Sequence, residues 1–544
     1  MNNLVYFSNK RKFEGTYMSA THTPNPRAED GALNKKRRQA DLDRLRDGAA
    51  KGELPDLLVI GAGITGVGIA LDAASRGLDT VLIDAHDLAF GTSRWSSKLA
   101  HGGLRYLATG NVGIARRSAV ERGTLLDVTA PHLVHKLPQV VPVMNVFAPL
   151  TRILPRMGFL AGDFLRIIAG TSATTLPLSR TVGKQRVAEL SPTVRKKDVQ
   201  FGYVNYDGQL RDDARLVTAI ARTAASYGAT VLTKVRCENA TGTGATLVDE
   251  LSGEKFELPA RTVVNATGVW AGDVDSSIKV RPSRGTHLVL DAAKLGNPTG
   301  SLTVPVPGYT NRFCFVLPAE HNRVYIGLTD ESAPGPIPDV PEVPEEDITF
   351  LLDVINQALE TPLTREDVNG AFAGLRPLID SGEGNTADLS REHALLEADN
   401  GLISITGGKL TEYRLMAEQT VDKVISKLGI TAPECLTRRI PVLGSDRRGM
   451  DRARTAAEAG RIPMALFNRY GAESQEVIDS CPLERPLDPV AEGIDVTRAE
   501  FAWHVTHEGA LSVDDILDRR TRIGLVAADR EAALPAAEEA LKLA

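Results

Sequence analysis

Gly61, Gly63 and Gly66 follow one another at the spacing Gly-x-Gly-x-x-Gly, and Asp84 stands 23 residues beyond the first. That set is suited to holding a dinucleotide. The first glycine permits a tight turn, the second lets backbone approach a pyrophosphate, and the third lets a helix pack close to a strand. An acid about 20 residues further on is placed for the ribose hydroxyls. The motif alone recurs by chance, so its flanks decide. Residues 57–60 (Leu-Leu-Val-Ile) read as a buried parallel strand. A helix over 64–76, ended by Gly77, aims its unpaired amides and positive dipole end at the phosphates. A second strand over 80–83 delivers Asp84.

Two distant segments return to the same ligand. Residues 263–268 (Val-Val-Asn-Ala-Thr-Gly) run from a strand into a turn of small residues, where backbone can lie against a flat group. Residues 402–406 form a buried strand entering Gly407-Gly408-Lys409-Leu410-Thr411 and a second helix N-terminus. Such a terminus stabilises the negative charge that a reduced flavin carries near N1 and O2, and a nicotinamide site needs no second helix of that kind. The spacing therefore points to a flavin, held by a domain assembled from separate pieces of chain.

The elements that position these groups sort into an α/β chain of two or three domains, since 544 residues provide ample core. Hydrophobic residues make up 42% and charged residues 24%, the balance of a soluble globular protein, and a net charge of −6 gives no reason to expect nucleic acid. Four cysteines lie far apart without a Cys-x-x-Cys, which argues against a metal cluster or disulfide framework and fits a reducing compartment. No secretory signal is visible, and the longest uncharged stretch, 137–151, is too short to span a membrane.

Residues 1–54 read as a polar, disordered extension with basic clusters at 10–12 and 35–38; Met18 is an alternative start, and the basic clusters could instead touch anionic lipid. The expected division gives 55–130, 205–275 and 385–429 to the cofactor domain, 131–204 and 276–384 to an inserted substrate domain built on an antiparallel sheet, and 430–544 to a helical C-terminal domain. Between 157 and 168, Met157, Leu160, Ala161, Phe164, Ile167 and Ile168 share one helical face. A helix packed on the core is preferred there over an interfacial membrane helix.

The block 96–106 (Ser-Ser-Lys-Leu-Ala-His-Gly-Gly-Leu-Arg-Tyr) resembles FAD-dependent glycerol-3-phosphate dehydrogenase, the respiratory family within the glycine-oxidase-like flavoproteins. Five further blocks, 212–216, 265–268, 284–287, 374–378 and 407–411, resemble that family in its order, and 514–522 resembles its extra helical domain. The likeness runs from about residue 56 to residue 524. It implies a discontinuous Rossmann-like FAD domain with an inserted antiparallel-sheet substrate domain. It also implies oxidation of sn-glycerol 3-phosphate to dihydroxyacetone phosphate by hydride transfer from C2 to FAD N5. Electrons would pass to a quinone at the cytoplasmic face of a membrane, where the protein sits peripherally. The oligomeric state is left open, a homodimer among the options.

Carried onto this chain, the resemblance makes His287 the first candidate base, with His101 second or else capping its turn or touching the flavin. Arg105, Arg376 and Lys409 become the cations for a phosphate dianion, with Arg376 also stabilising alkoxide charge at C2. Tyr106 and Thr329 are expected to hydrogen-bond substrate oxygens, and Ser97 and Lys98 to face the pyrophosphate or flavin edge. Val235, Gly268, Gly408, Lys409 and Leu410 join the glycine loop and Asp84 as cofactor contacts. The chain departs from the family at Ser93-Arg94-Trp95-Ser96, bulkier than the usual serine-rich turn, at Leu328 before Thr329-Asp330, and at Asp84, where Glu is common. Three alternatives stay open: an oxidase of the same substrate using oxygen, a flavin oxidase of another small anion, and a non-catalytic flavin-binding protein.

Overall fold

The computed structural model describes residues 31–103, 111–145, 147, 149–309, 312–379 and 392–544. The strand Leu57–Ile60 lies inside a six-stranded sheet. Across that sheet the order is His393–Glu397, Ile403–Gly407, Val263–Asn265, Leu57–Ile60, Thr80–Asp84 and Thr230–Thr233. The pairings are parallel except at the edge strand His393–Glu397. All four residues of Leu57–Ile60 are buried, as their unbroken apolar run requires. The helix Ile64–Ser75 packs against the helices Asp213–Ser226 and Tyr413–Leu428. Three of the expected segments thus meet in one sheet although some 350 residues separate the first from the last.

A second, ten-stranded sheet is antiparallel apart from one pairing between Ser301–Pro305 and Val134–Met144. Its longest members are Val134–Met144, Val199–Leu210, Val280–Asp291 and Gly370–Ile379. The boundary expected between 204 and 205 falls inside Val199–Leu210, which pairs along its whole length from Met144↔Val199 to Val134↔Leu210. Here Asp207 is buried and accepts from Arg122 Nη1 at 2.6 Å, while a Cβ at Gly208 would lie 2.9 Å from the Ala100 carbonyl oxygen. The glycine permits the close pairing of Leu99–Ala100 with this strand. Residues 99–100 therefore also belong to the second sheet.

Two further expectations fail for physical reasons. Residues 35–50 are an ordered helix, Lys35–Ala50, capped by Asn34, whose side chain accepts from the Arg37 amide at 2.9 Å. Only Leu42 and Leu45 supply large buried apolar groups, so no hydrophobic stripe announces the helix. It is anchored instead by Arg38, which donates to the carbonyls of Thr233 (2.8 Å) and Lys234 (3.1 Å) and pairs with Asp249. Residues 1–30, with Met18 and the first basic cluster, lie outside the described residues.

The second failure concerns the helix Pro149–Ile168, whose apolar face turns outward rather than onto the core. Met157 and Phe164 are each 63% exposed, and Ile153, Leu160, Ile167 and Ile168 are exposed with them. Phe159 and Leu165 on the opposite side do the packing. No helix among the described residues is long and apolar enough to cross a membrane.

The helical C-terminal region is fastened to both sheets by buried charge. Arg519 and Arg520 converge on Asp87, just past the Thr80–Asp84 strand, at 2.7 Å each, and Arg215 meets Glu508 at 2.7 Å. On the second sheet, His321 sits in a left-handed turn with both ring nitrogens 2.7 Å from acceptors, Asp495 Oδ1 and the Thr521 carbonyl. Only an imidazolium donates from both nitrogens. Burial alone would lower its pKa, and Arg469 opposes the charge too, but the Asp495 carboxylate outweighs both and holds it above the ordinary 6.5. A raised pKa stabilises the fold below the unfolded-state value and is lost as pH rises through the folded one. His321→Ala should therefore cost about 2 kcal/mol near pH 5.5. Thermal midpoints of the two proteins should converge as pH climbs through the raised pKa.

Candidate functional site

A cavity of about 1130 Å³ runs between the two sheets. One wall is the glycine loop. Gly61 has φ +103°, and a Cβ on it would lie 2.7 Å from the Ala266 carbonyl oxygen, so this turn abuts the small-residue turn Ala266-Thr267-Gly268. A Cβ at Gly66 would lie 1.8 Å from the Gly61 carbonyl oxygen, which fixes the close helix–strand packing. At the helix start the Ala62 amide donates to Asp84 Oδ2 (2.7 Å) and the Ile64 amide to Ser93 Oγ (2.9 Å). Burial raises the Asp84 pKa, against the lowering pull of the Ala62 and His86 amides. Val235, Gly268, Gly408, Lys409 and Leu410 line the same cavity, as do His86, Phe90 and Trp270. His86 and Phe90 stack at 3.8 Å, giving this end a flat aromatic surface.

The second helix N-terminus is offset from its expected place. Gly407 and Gly408 both have positive φ, a 3-10 turn covers Leu410–Glu412, and the helix proper is Tyr413–Leu428. Its strand is tied to the small-residue turn through Thr406 Oγ1, which donates to the Gly268 carbonyl at 3.1 Å. Both turns thus open onto one space, and Gly268, Gly407 and Gly408 bring backbone to it without Cβ groups. The glycine turns, the acid at the strand end and the volume of about 1130 Å³ fit an extended dinucleotide.

The opposite wall comes from the second sheet. His287 and Arg376 lie on adjacent antiparallel strands, with Ser283↔Arg376, Gly285↔Gly374 and His287↔Phe372 in register. Side chains alternate, so these residues share one face. Two glycines make room for them: a Cβ at Gly285 would lie 2.3 Å from Arg376 Nη2, and one at Gly327 would lie 2.3 Å from His287 Cδ2. Arg376 Nη1 donates to Ser283 Oγ (3.1 Å) and to Asp330 Oδ1 (3.3 Å), while Nη2 donates to the Thr329 carbonyl (3.1 Å). His287 Nε2 lies 2.9 Å from Ser97 Oγ, and Nδ1 has no hydrogen-bond partner among the described residues. Burial, then the charges of Lys98 and Arg376, push its pKa down to about 3, so the ring is a neutral proton acceptor.

Other expected residues fall as follows. His101 and Ser97 line the cavity, and so does Lys409, whose Nζ donates to Ser118 Oγ at 3.3 Å. Lys98 does not line it. With φ +59° its side chain turns away and is buried against Asp213 Oδ1 at 2.8 Å, so it acts on the site as a charge behind the wall. Thr329 is buried at the cavity edge with its hydroxyl accepting from the Thr286 amide at 2.9 Å, a use that sets backbone rather than substrate. Arg105 and Tyr106 lie outside the described residues. Sequence reading passed over Arg312, which lines the cavity, and the Trp95–Phe372–His287 stack. The proximity of Arg312 to the β-rich run 313–317 was its only signal.

Comparison with known proteins converges on one family. Residues 56–414 match the FAD dependent oxidoreductase family, and residues 435–544 match the C-terminal domain of alpha-glycerophosphate oxidase. The chain is 57% identical over 514 residues to glycerol-3-phosphate dehydrogenase 1 of Mycobacterium tuberculosis, covering 94% of this chain and 98% of that one. It is 34% identical to a mitochondrial glycerol-3-phosphate dehydrogenase of Arabidopsis thaliana, over 88% of this chain and 80% of that one. Among solved structures it resembles the glycerol-3-phosphate dehydrogenase of Bacillus halodurans complexed with FAD. That likeness has a TM-score of 0.69 at 27% identity and covers 93% and 94% of the two chains. With the glycine loop, the paired sheets and the helical C-terminal domain in place, the chain belongs to the FAD-dependent oxidoreductase family.

Proposed function

We propose that this chain oxidises sn-glycerol 3-phosphate to dihydroxyacetone phosphate with FAD as its resident cofactor and passes the electrons to a membrane quinone. The observation that carries the reading is the shared face of His287 and Arg376, turned into the cavity that the glycine loop and Lys409 also line. FAD held along the glycine loop and the 407–411 turn supplies the two-electron acceptor for hydride from C2. His287 takes the hydroxyl proton, for which its neutral ring is suited. A phosphate dianion in the same cavity opposes the charges of Lys98 and Arg376 and draws the imidazole back toward its ordinary range.

Arg376 is held in one orientation by Ser283, Asp330 and the Thr329 carbonyl, so its fork meets a developing alkoxide without reorganising. Lys409 and Arg312 are the described cavity cations assigned to the phosphate, with Arg105 proposed from its block. Arg376→Ala should lower kcat/KM for sn-glycerol 3-phosphate about 100-fold or more while FAD absorbance per chain stays at the wild-type level. Equal turnover by the two proteins would remove Arg376 from the anion site.

An oxidase of the same substrate would use the same walls. Parallel assays of hydrogen peroxide and of reduced dichlorophenolindophenol separate the two: dye reduction with little peroxide is expected, and stoichiometric peroxide would make the chain an oxidase. The outward apolar face of Pro149–Ile168 supports peripheral attachment to a membrane, because Leu154, Pro155, Gly158 and Phe159 of that helix also line the cavity; the cytoplasmic side is the one the family resemblance implies. A lipid-borne acceptor would meet the site from that side. Met157→Glu with Phe164→Glu should abolish co-sedimentation with liposomes yet leave dye-linked activity intact; co-sedimentation unchanged from wild type would place the membrane contact elsewhere.

A further inference from the structure

We propose that Arg522, carried by the helical C-terminal region, is a positioning residue for His287. The proposal rests on the reading of His287 as the base and extends it to a domain that does not line the cavity. Four side chains form a continuous column. The Arg522 guanidinium lies 4.4 Å from the Trp95 ring centroid and 5.9 Å from that of Phe372. Trp95 and Phe372 stack at 5.7 Å and 29°, and Phe372 and His287 at 4.8 Å and 13°. Trp95 stands in the turn Ser93-Arg94-Trp95-Ser96, bulkier than the serine-rich turn of the family it resembles. The backbone of Gly374 accommodates it: a Cβ there would lie 2.6 Å from the Trp95 carbonyl oxygen.

The column leaves His287 little freedom. Gly327 closes one side of the imidazole, Phe372 covers its face, and Ser97 Oγ meets Nε2. Phe372 is itself braced edge-on by Tyr325 at 5.3 Å and 84°. What holds the far end is a buried cation. Arg522 is 4% exposed, sits in the left-handed region at φ +62°, and donates from Nη1 to the Asp518 carbonyl at 2.7 Å. Its Nε and Nη2 have no hydrogen-bond partner among the described residues, and the nearest carboxylate, Asp212 Oδ2, is 3.8 Å from Nε. A desolvated, under-bonded guanidinium over two aromatic rings draws part of its stabilisation from those rings, and its unusual backbone points to a role beyond packing. Arg94 lies over the same indole at 4.3 Å, so Trp95 carries two guanidiniums.

Charge accompanies the packing. Behind the stack, Arg522 faces Asp212, and Lys98 is paired with Asp213 while lying 5.1 Å from the Phe372 ring centroid. Lys98 and Arg376 are the cations acting on His287. Removing Arg522 takes a positive charge from behind the stack, and a less positive potential at the imidazole favours its protonated form.

The test is steady-state kinetics of the full FAD-loaded chain with sn-glycerol 3-phosphate and dye, run from acid to alkaline pH. Arg522→Met should retain FAD and keep KM within about twofold, while kcat falls about tenfold because the base is misaligned. The acid limb of kcat/KM should move to higher pH. Arg522→Lys, which keeps the charge and loses the planar stack, should lower kcat with the acid limb in place. Phe372→Leu breaks the column without touching the charge, and combined with Arg522→Met it should cost less than the sum of the two, as coupled residues do. Wild-type kcat and an unmoved acid limb in Arg522→Met would overturn the proposal, as would full additivity with Phe372→Leu. If Arg522→Met does not retain FAD, wild-type kcat in Arg522→Lys overturns it. His287→Asn separates this from the underlying reading: wild-type turnover there removes the base itself, whereas an inactive His287→Asn beside a wild-type-like Arg522→Met removes only the positioning role.

Discussion

The helix Ile64–Ser75 approaches the strand Leu57–Ile60 so closely that a Cβ on Gly66 would lie 1.8 Å from the Gly61 carbonyl oxygen, and the rest of the site depends on that contact. It sets the helix start at the end of the strand, where the Ala62 amide reaches Asp84 and the Ile64 amide reaches Ser93. The same economy of side chains recurs across the cavity. Gly285 leaves space for the Arg376 guanidinium, Gly327 for the His287 ring, and Gly61 for the backbone of Ala266. Places where no Cβ can stand thus shape both walls, one for a flat dinucleotide and one for a small anion.

Charge then fastens the parts to one another. Asp87, three residues past Asp84, is fully buried between Arg519 and Arg520, whose charges overcome its burial and hold its pKa well below the usual range. The C-terminal region is consequently joined to the cofactor sheet beside Asp84, which lines the cavity. From that anchored region Arg522 extends to the aromatic column behind His287, and His321 ties the hairpin of the second sheet to the carbonyl of the preceding Thr521. A domain remote from the cavity in sequence is in this way packed, through Trp95 and Phe372, against His287, the proposed base.

Much of this was legible in the chain and some of it was not, for reasons that differ. Residues 57–84 declare themselves because the signal is local: an apolar run, a glycine spacing, a helix, a second run and an acid. The meeting of 263–268 with 403–411 was inferable from repeated strand-to-glycine turns, and the pairing Val264↔Ile403 bears it out. The shared face of His287 and Arg376 needed strand register, which one sequence does not contain. The helix Lys35–Ala50 escaped because Arg38 on two carbonyls, with only Leu42 and Leu45 as large buried apolar groups, holds it. Lys98 was expected to face the pyrophosphate or flavin edge because its left-handed backbone could not be read from Ser-Ser-Lys. The periodicity of 157–168 was correct, and its direction was not, since an amphipathic pattern does not say whether protein or lipid covers the apolar side.

The central claim is that the cavity oxidises a secondary alcohol bearing a dianion. Anaerobic mixing of the FAD-loaded protein with sn-glycerol 3-phosphate, glycerol or lactate tests it without any acceptor or membrane. The account predicts that visible flavin absorbance bleaches with sn-glycerol 3-phosphate and persists with the other two. An unbleached flavin with sn-glycerol 3-phosphate, or equal bleaching by glycerol, would contradict it.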